Sequence, residues 1–150
     1  MNRSWRGTLA LLILLTASCS SFEPGKPMSM DEDNASNKVD EIAFTIPDGF
    51  EFAEGVVFAE FVGHPAWSAR FDASTELEGP AVTAANPSYP PLSPVSCGAP
   101  TRTSWTSLGF TCEAEMMSTS RPAPRSGDPV SVTFTRGAGG SSLFIYCEGH

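Results

Sequence analysis

Imidazole is nearly missing from this chain, whose only histidines are His64 and His150. A histidine-rich metal site or a Ser-His-Asp relay would need one of them carried to an acid and a nucleophile, and no spacing in the sequence does so. His64 sits in Gly63-His64-Pro65 and reads as a turn residue. No metal site, cofactor or catalytic set is therefore expected. Cationic charge is short as well: 9 Lys and Arg stand against 17 Asp and Glu, a formal charge of −8. That balance excludes nucleic acid as a partner, because neutralising phosphates takes a basic surface, and it disfavours electrostatic adsorption to anionic lipid. Also lacking are a C-x-x-C pair, a G-x-S-x-G elbow, a phosphate-cradling glycine loop and an H-E-x-x-H helix. Gly137 to Gly140 is glycine-rich, but it joins two strands and reads as a hairpin turn. Beyond residue 18 there is no long apolar run and no sustained 3.6-residue periodicity, which excludes a spanning helix there and argues against a helical domain.

What is present begins with an address. Arg3 and Arg6 precede the apolar run Leu9 to Leu15, and Thr16-Ala17-Ser18 supply the small residues of a peptidase site. This is the layout of a secretory signal over residues 1–18, and the run is too short to span a bilayer. The segment Leu14-Leu15-Thr16-Ala17-Ser18-Cys19 resembles the bacterial lipoprotein box, with Thr16 where Leu is usual. The resemblance implies that Cys19 receives a diacylglyceryl thioether and acyl chains of the palmitate class, at roughly 0.8 kcal/mol per buried methylene. It implies a domain tethered to the cell membrane or outer membrane on the extracytoplasmic side. Ser20, in place of a retention aspartate, would favour the outer membrane of a two-membrane host. Loss of the leader removes Arg3 and Arg6 and takes the charge from −8 to −10.

Residues 19–40 read as the lipidated cysteine and a flexible acidic tether, since Pro24, Pro27, Gly25 and scattered polar residues offer little to bury. Met28 and Met30 beside Asp31, Glu32 and Asp33 have soft-metal and hard-cation donors, but the acidic spacing lacks the third ligand and glycine of a calcium loop, and a solvated spacer is the better reading.

Residues 41–150 read as one all-β domain, a small antiparallel meander or sandwich of about six to seven strands. Ile42, Phe44 and Ile46 predict a first strand stopped by Pro47-Asp48-Gly49. Val56 to Val62 and Ala66 to Asp72 predict a hairpin with Phe61 opposite Trp67, Ala59 opposite Ala69 and Val57 opposite Phe71. A one-residue slip would bury Glu60 unpaired. That register turns Val56 and Phe58 outward, to be covered by another layer or to serve as a binding face. Ser74 to Glu78 suggests a helical turn ended by Gly79-Pro80, followed by a proline-rich loop. Leu108, Phe110 and Cys112 share one parity in a further strand, with Glu113 and Glu115 outward. Val130 to Arg136 and Leu143 to Cys147 form the clearest hairpin, pairing Val130, Val132 and Phe134 with Leu143, Ile145 and Cys147.

With Cys19 assigned to lipid, Cys97, Cys112 and Cys147 remain. An oxidising compartment favours a bridge. In a meander Cys112 and Cys147 would lie about 10 Å apart, too far to bond. Cys97–Cys112 is preferred, with Cys97–Cys147 the alternative and the leftover thiol a buried apolar group. Trp67 reads as core; Tyr89 and Trp105 are the candidate ligand contacts, as surface aromatics near the proline loop. The plan resembles that of many small bacterial lipoproteins of no assigned activity, so no activity transfers. The expected function is a non-catalytic, membrane-anchored module of the cell envelope that contacts a protein or small ligand. The alternatives are an envelope hydrolase using carboxylates, or a metal or redox chaperone using Met28, Met30 and the odd cysteine.

Overall fold

The computed structural model describes residues 25–59, 63–97 and 103–150. They form an antiparallel seven-stranded sheet with three short helices, the all-β class that the alternation predicts. In chain order the elements are β1 (Pro27–Ser29), α1 (Glu32–Glu41), β2 (Glu51–Phe58), β3 (Trp67–Ala73), α2 (Gly79–Ala85), β4 (Ser93–Pro94), α3 (Thr103–Ser107), β5 (Glu115–Pro122), β6 (Pro129–Gly137) and β7 (Gly140–Cys147). The spatial order is β1-β2-β3-β7-β6-β5-β4. Two sequential meanders, one running forward and one backward, thus join where β3 pairs with β7.

Cross-strand rows explain the core. Val57, Trp67, Cys147 and Val130 form one row, and Ala69, Ile145 and Val132 the next. Phe52, Phe71, Leu143, Phe134 and Met117 form a third. These residues share the front face, and Val130, Val132, Phe134, Leu143 and Ile145 are fully buried there. Strict alternation puts the intervening residues on the back face.

The β6–β7 hairpin has the expected pairs Val130–Cys147, Val132–Ile145 and Phe134–Leu143, closed by a two-residue turn at Ala138-Gly139. The β2–β3 pairing departs from expectation. Val57 lies opposite Trp67 and Val56 opposite Ser68, a slide of four residues that preserves which face each side chain takes. The connection between the strands is longer than the turn assumed, and Phe61 lies outside the described residues. A bulge at Ala53 then shifts the ladder, so that Phe52 meets Phe71 at 5.8 Å between ring centroids on the front face.

Within residues 25–40 the expectation of a flexible tether is overturned, because β1 pairs with β2 and α1 docks on the core. Asp31 caps α1 by accepting from the Asn34 amide at 2.9 Å, Glu32 and Asp33 occupy the first turn, and Lys38 the last. Ala35, Val39 and Ile42 recur at i, i+4 and i+7 and are all buried. Ile42 and Phe44 are therefore a helix end and its exit rather than a first strand. The capping role of Asp31 also answers for the acidic cluster. Met28 is exposed while Met30 is buried against Gly55, so the two thioethers are not presented together.

Gly79-Pro80 opens α2 instead of ending a turn, as Pro suits the first helical turn. Leu108, Phe110 and Cys112 do not form a strand. They follow α3, and pairing resumes at Glu115. Trp105, Leu108 and Phe144 make a small second core on the back face, flanked by Val56, Phe110 and Tyr146. A covering layer is thus the outcome for Val56. Cys97 and Cys112 are bonded, with 5.5 Å between their Cα atoms, and close the loop that carries α3. Cys147 is free and buried in the front core.

Candidate functional site

The antiparallel order places the start of β3, the end of β7 and the start of β6 at one end of the sheet. The loops leaving that end carry His64, His150 and Asp128. His64 and His150 continue the β3–β7 register past Trp67–Cys147 as a hydrogen-bonded pair: the His64 amide donates to the His150 carbonyl at 2.8 Å, and the His150 amide donates back at 3.1 Å. Gly63 and Gly149 permit this approach. A Cβ at Gly63, where φ is +90°, would overlap the His150 carbonyl, and one at Gly149 would overlap the backbone of His64. Glu148 donates to the Pro129 carbonyl at 2.9 Å and thereby holds the second seam.

Asp128 is 4% exposed and lies between the two rings. His64 Nδ1 is 3.3 Å from its Oδ2, and His150 Nδ1 bonds its Oδ1. The ring centroids are 4.9 Å apart in an edge arrangement. Each imidazole is about three-fifths exposed, so the carboxylate is buried beneath two rings that stay open to solvent. Burial acts to raise the Asp128 pKa, but hydrogen bonding to Ser126 and His150, the His150 charge and the contact with His64 outweigh it and hold the carboxyl below its usual value. A cleft of about 450 Å³ adjoins the cluster, walled by Lys38 and Glu41 of α1 and by Arg125, with Trp67 and Cys147 lining it. Burial pushes the Cys147 thiol up to about 11, leaving it little thiolate character at neutral pH.

The turn reading of His64 is thus incomplete: both histidines meet an acid, Asp128, which their spacing did not foretell. The signal available in the sequence was the repeated Gly-His dipeptide, at Gly63-His64 and Gly149-His150. Asp128 carried no mark of its own.

The candidate ligand contacts move inward. Tyr89 is 5% exposed, donates its hydroxyl to the Ile42 carbonyl at 2.8 Å and stacks edge-on with Phe44 at 5.2 Å. Burial pushes its hydroxyl up to about 12. Arg121 lies over the ring at 4.7 Å from the centroid. Trp105 is 4% exposed and packs on Phe110 and Phe144. Both aromatics serve as core because their hydroxyl-tipped or apolar surfaces complete helix ends and the back cluster. Of the other sites, Cys97 and Cys112 are joined as expected, and Cys19 lies outside the described residues.

A second concavity on the back face is polar. Glu51, Arg70, Asp72, Glu113, Thr135 and Ser142 line it, and Asp72 pairs with Arg70 at 3.3 Å and accepts from Ser142 at 2.7 Å. Arg70 is paired with Asp72, and Glu51 and Glu113 leave the concavity net acidic.

Comparison with protein-family models, with curated proteins and with solved structures finds no match to this chain. Among the described residues no helix is long and apolar enough to cross a membrane.

Proposed function

We propose that this protein is an exported, lipid-anchored interaction domain of the cell envelope that acts without catalysis. The observation that carries the reading is the leader: two arginines, the apolar run from Leu9 to Leu15, and Thr16-Ala17-Ser18 delivering Cys19. Acyl chains on that sulfur would hold the domain on a membrane, and the acidic body would not adhere to anionic lipid by itself. The Cys97–Cys112 bridge supports an oxidising compartment. The non-catalytic part is supported by the chemistry around the histidines. The nearby Cys147 thiol is buried and protonated at neutral pH, so it is no ready nucleophile. The partner is an envelope protein or small polar ligand, and the polar back-face concavity beside Arg70 and Asp72 is the surface offered to it.

Fractionation of the host expressing the full chain, with mass spectrometry of the mature N-terminus, tests the anchor. The expected product begins at an acylated Cys19 and stays in the membrane fraction, and Cys19→Ala releases it. Recovery from the cytosol with Met1 and the leader intact would overturn the reading, as would a mature chain bearing an unmodified Cys19.

A further inference from the structure

The end of the sheet brings two neutral-capable nitrogens and one anionic oxygen to a point, and that donor set has a specific use. We propose that His64, Asp128 and His150 form a binding site for a divalent transition cation of the zinc class, with its remaining coordination position open to solvent. The inference goes beyond the anchored-domain reading and does not depend on it.

The donors are of the right kind. Two imidazoles and a carboxylate suit borderline ions such as zinc, whose fourth position a water or small ligand would fill. The spacing also fits. The three ligand atoms lie within 4.8 Å of one another, and the ligands of a tetrahedral ion bound at about 2.0–2.1 Å sit roughly 3.3 Å apart. His64 Nδ1 and Asp128 Oδ2 already stand at 3.3 Å. The His150–Asp128 contact must open to admit an ion, but the backbone of each ligand is braced before the ion arrives. Asp128 is buried behind the 123–128 loop, whose turn closes through Ala123 and Gly127 amide bonds. The two histidines are locked to each other through both backbone hydrogen bonds, with Gly63 and Gly149 allowing the contact. Bracing of this kind lowers the ordering cost of binding.

A hydrogen-bonded clasp between the loops is the competing use of the same residues. It accounts for both imidazoles, one hydrogen-bonded to each oxygen of the carboxylate. The two uses part on the nitrogen: a clasp needs Nδ1 protonated, whereas a cation takes its lone pair, so titration with metal separates them. Lys38 and Arg125 on the cleft wall oppose a cation, but Lys38 is engaged by Glu41 at 2.8 Å, and the chain as a whole is acidic.

The test uses the full chain purified in detergent, freed of metal, at neutral pH. Cobalt(II) chloride alone is titrated as a coloured surrogate, and zinc chloride is then added to displace it. One equivalent of cobalt should give visible d–d absorption, abolished by stoichiometric zinc. His64→Gln and His150→Gln should each lower cobalt affinity by at least about 100-fold, since the loss of even an outer-shell partner costs about 10–100-fold. Both side chains are largely exposed, so far-ultraviolet circular dichroism should stay as in the parent, while the metal-free Tm falls modestly because each variant weakens one contact to the buried Asp128 carboxylate. Asp128→Asn should also lose binding, and if that variant fails to fold the two histidine variants decide the matter. Absence of d–d bands in the parent at large cobalt excess would overturn the site. So would a His64→Gln protein that binds cobalt as the parent does.

Discussion

On the front face of the sheet, three rows of apolar side chains from five strands meet α1 and α2, and their central members are fully excluded from water. On the back face, a cluster centred on Trp105, Leu108 and Phe144 is held down by the five-residue α3 and the loop that the Cys97–Cys112 bridge closes. The contrast teaches how a small domain covers two sides of one sheet. Large buried area secures the front without covalent help. The back has too little area to order a short helix, because so few turns rarely repay their own nucleation, and a cross-link supplies the constraint.

Breaking the front should therefore cost most. Phe134→Ala removes a fully buried ring from the central row and should destabilise by about 3–5 kcal/mol in urea unfolding. Opening the bridge with Cys112→Ser should cost about 3 kcal/mol, as expected for a loop of this length. Hydrogen exchange would sharpen the contrast: protection should fall around Trp105 to Phe110 while β6 and β7 keep theirs. Equal loss on both faces would refute the division. Leu108→Ala should cost about 2 kcal/mol, the low end for a buried leucine, because the thin layer over it can collapse into the space. An alkaline test returns to the front. The folded Cys147 thiol titrates at about 11 against an ordinary 9.0. Its contribution is fully present below pH 9 and is lost as pH rises through 11, the loss reaching about 2 kcal/mol at pH 11. Cys147→Ala should remove the part of the alkaline slope that begins near pH 9 in pH-dependent urea titrations, leaving the part above pH 10 that Tyr89 contributes.

The parts of the molecule readable from sequence are those whose partners lie nearby along the chain. In β6–β7 a glycine-rich turn sets the register directly, so Val130–Cys147, Val132–Ile145 and Phe134–Leu143 follow from alternation alone. The β2–β3 hairpin has a longer connection and a bulge at Ala53; alternation still assigned the faces, but the pairing slid by four residues. Period-2 reading misled at Leu108, Phe110 and Cys112, where a helix end, a turn and a cystine imitate a strand. It misled again at Ile42 and Phe44, which mask the Ala35, Val39, Ile42 spacing of α1. Tyr89 and Trp105 were placed at the surface because polar-tipped aromatics among prolines look exposed until a carbonyl such as that of Ile42 claims the hydroxyl.

Local chemistry alone determined the antiparallel all-β class, the C-terminal hairpin and the pairing of Cys97 with Cys112. Each depends on neighbours close in the chain, where periodicity, turn residues and short loop closure act directly. The tertiary structure decided the β3–β7 junction, the covering of the back face and the meeting of His64, Asp128 and His150. Those contacts join residues dozens of positions apart, and which loops share an end of the sheet is a property of strand order that no local pattern encodes.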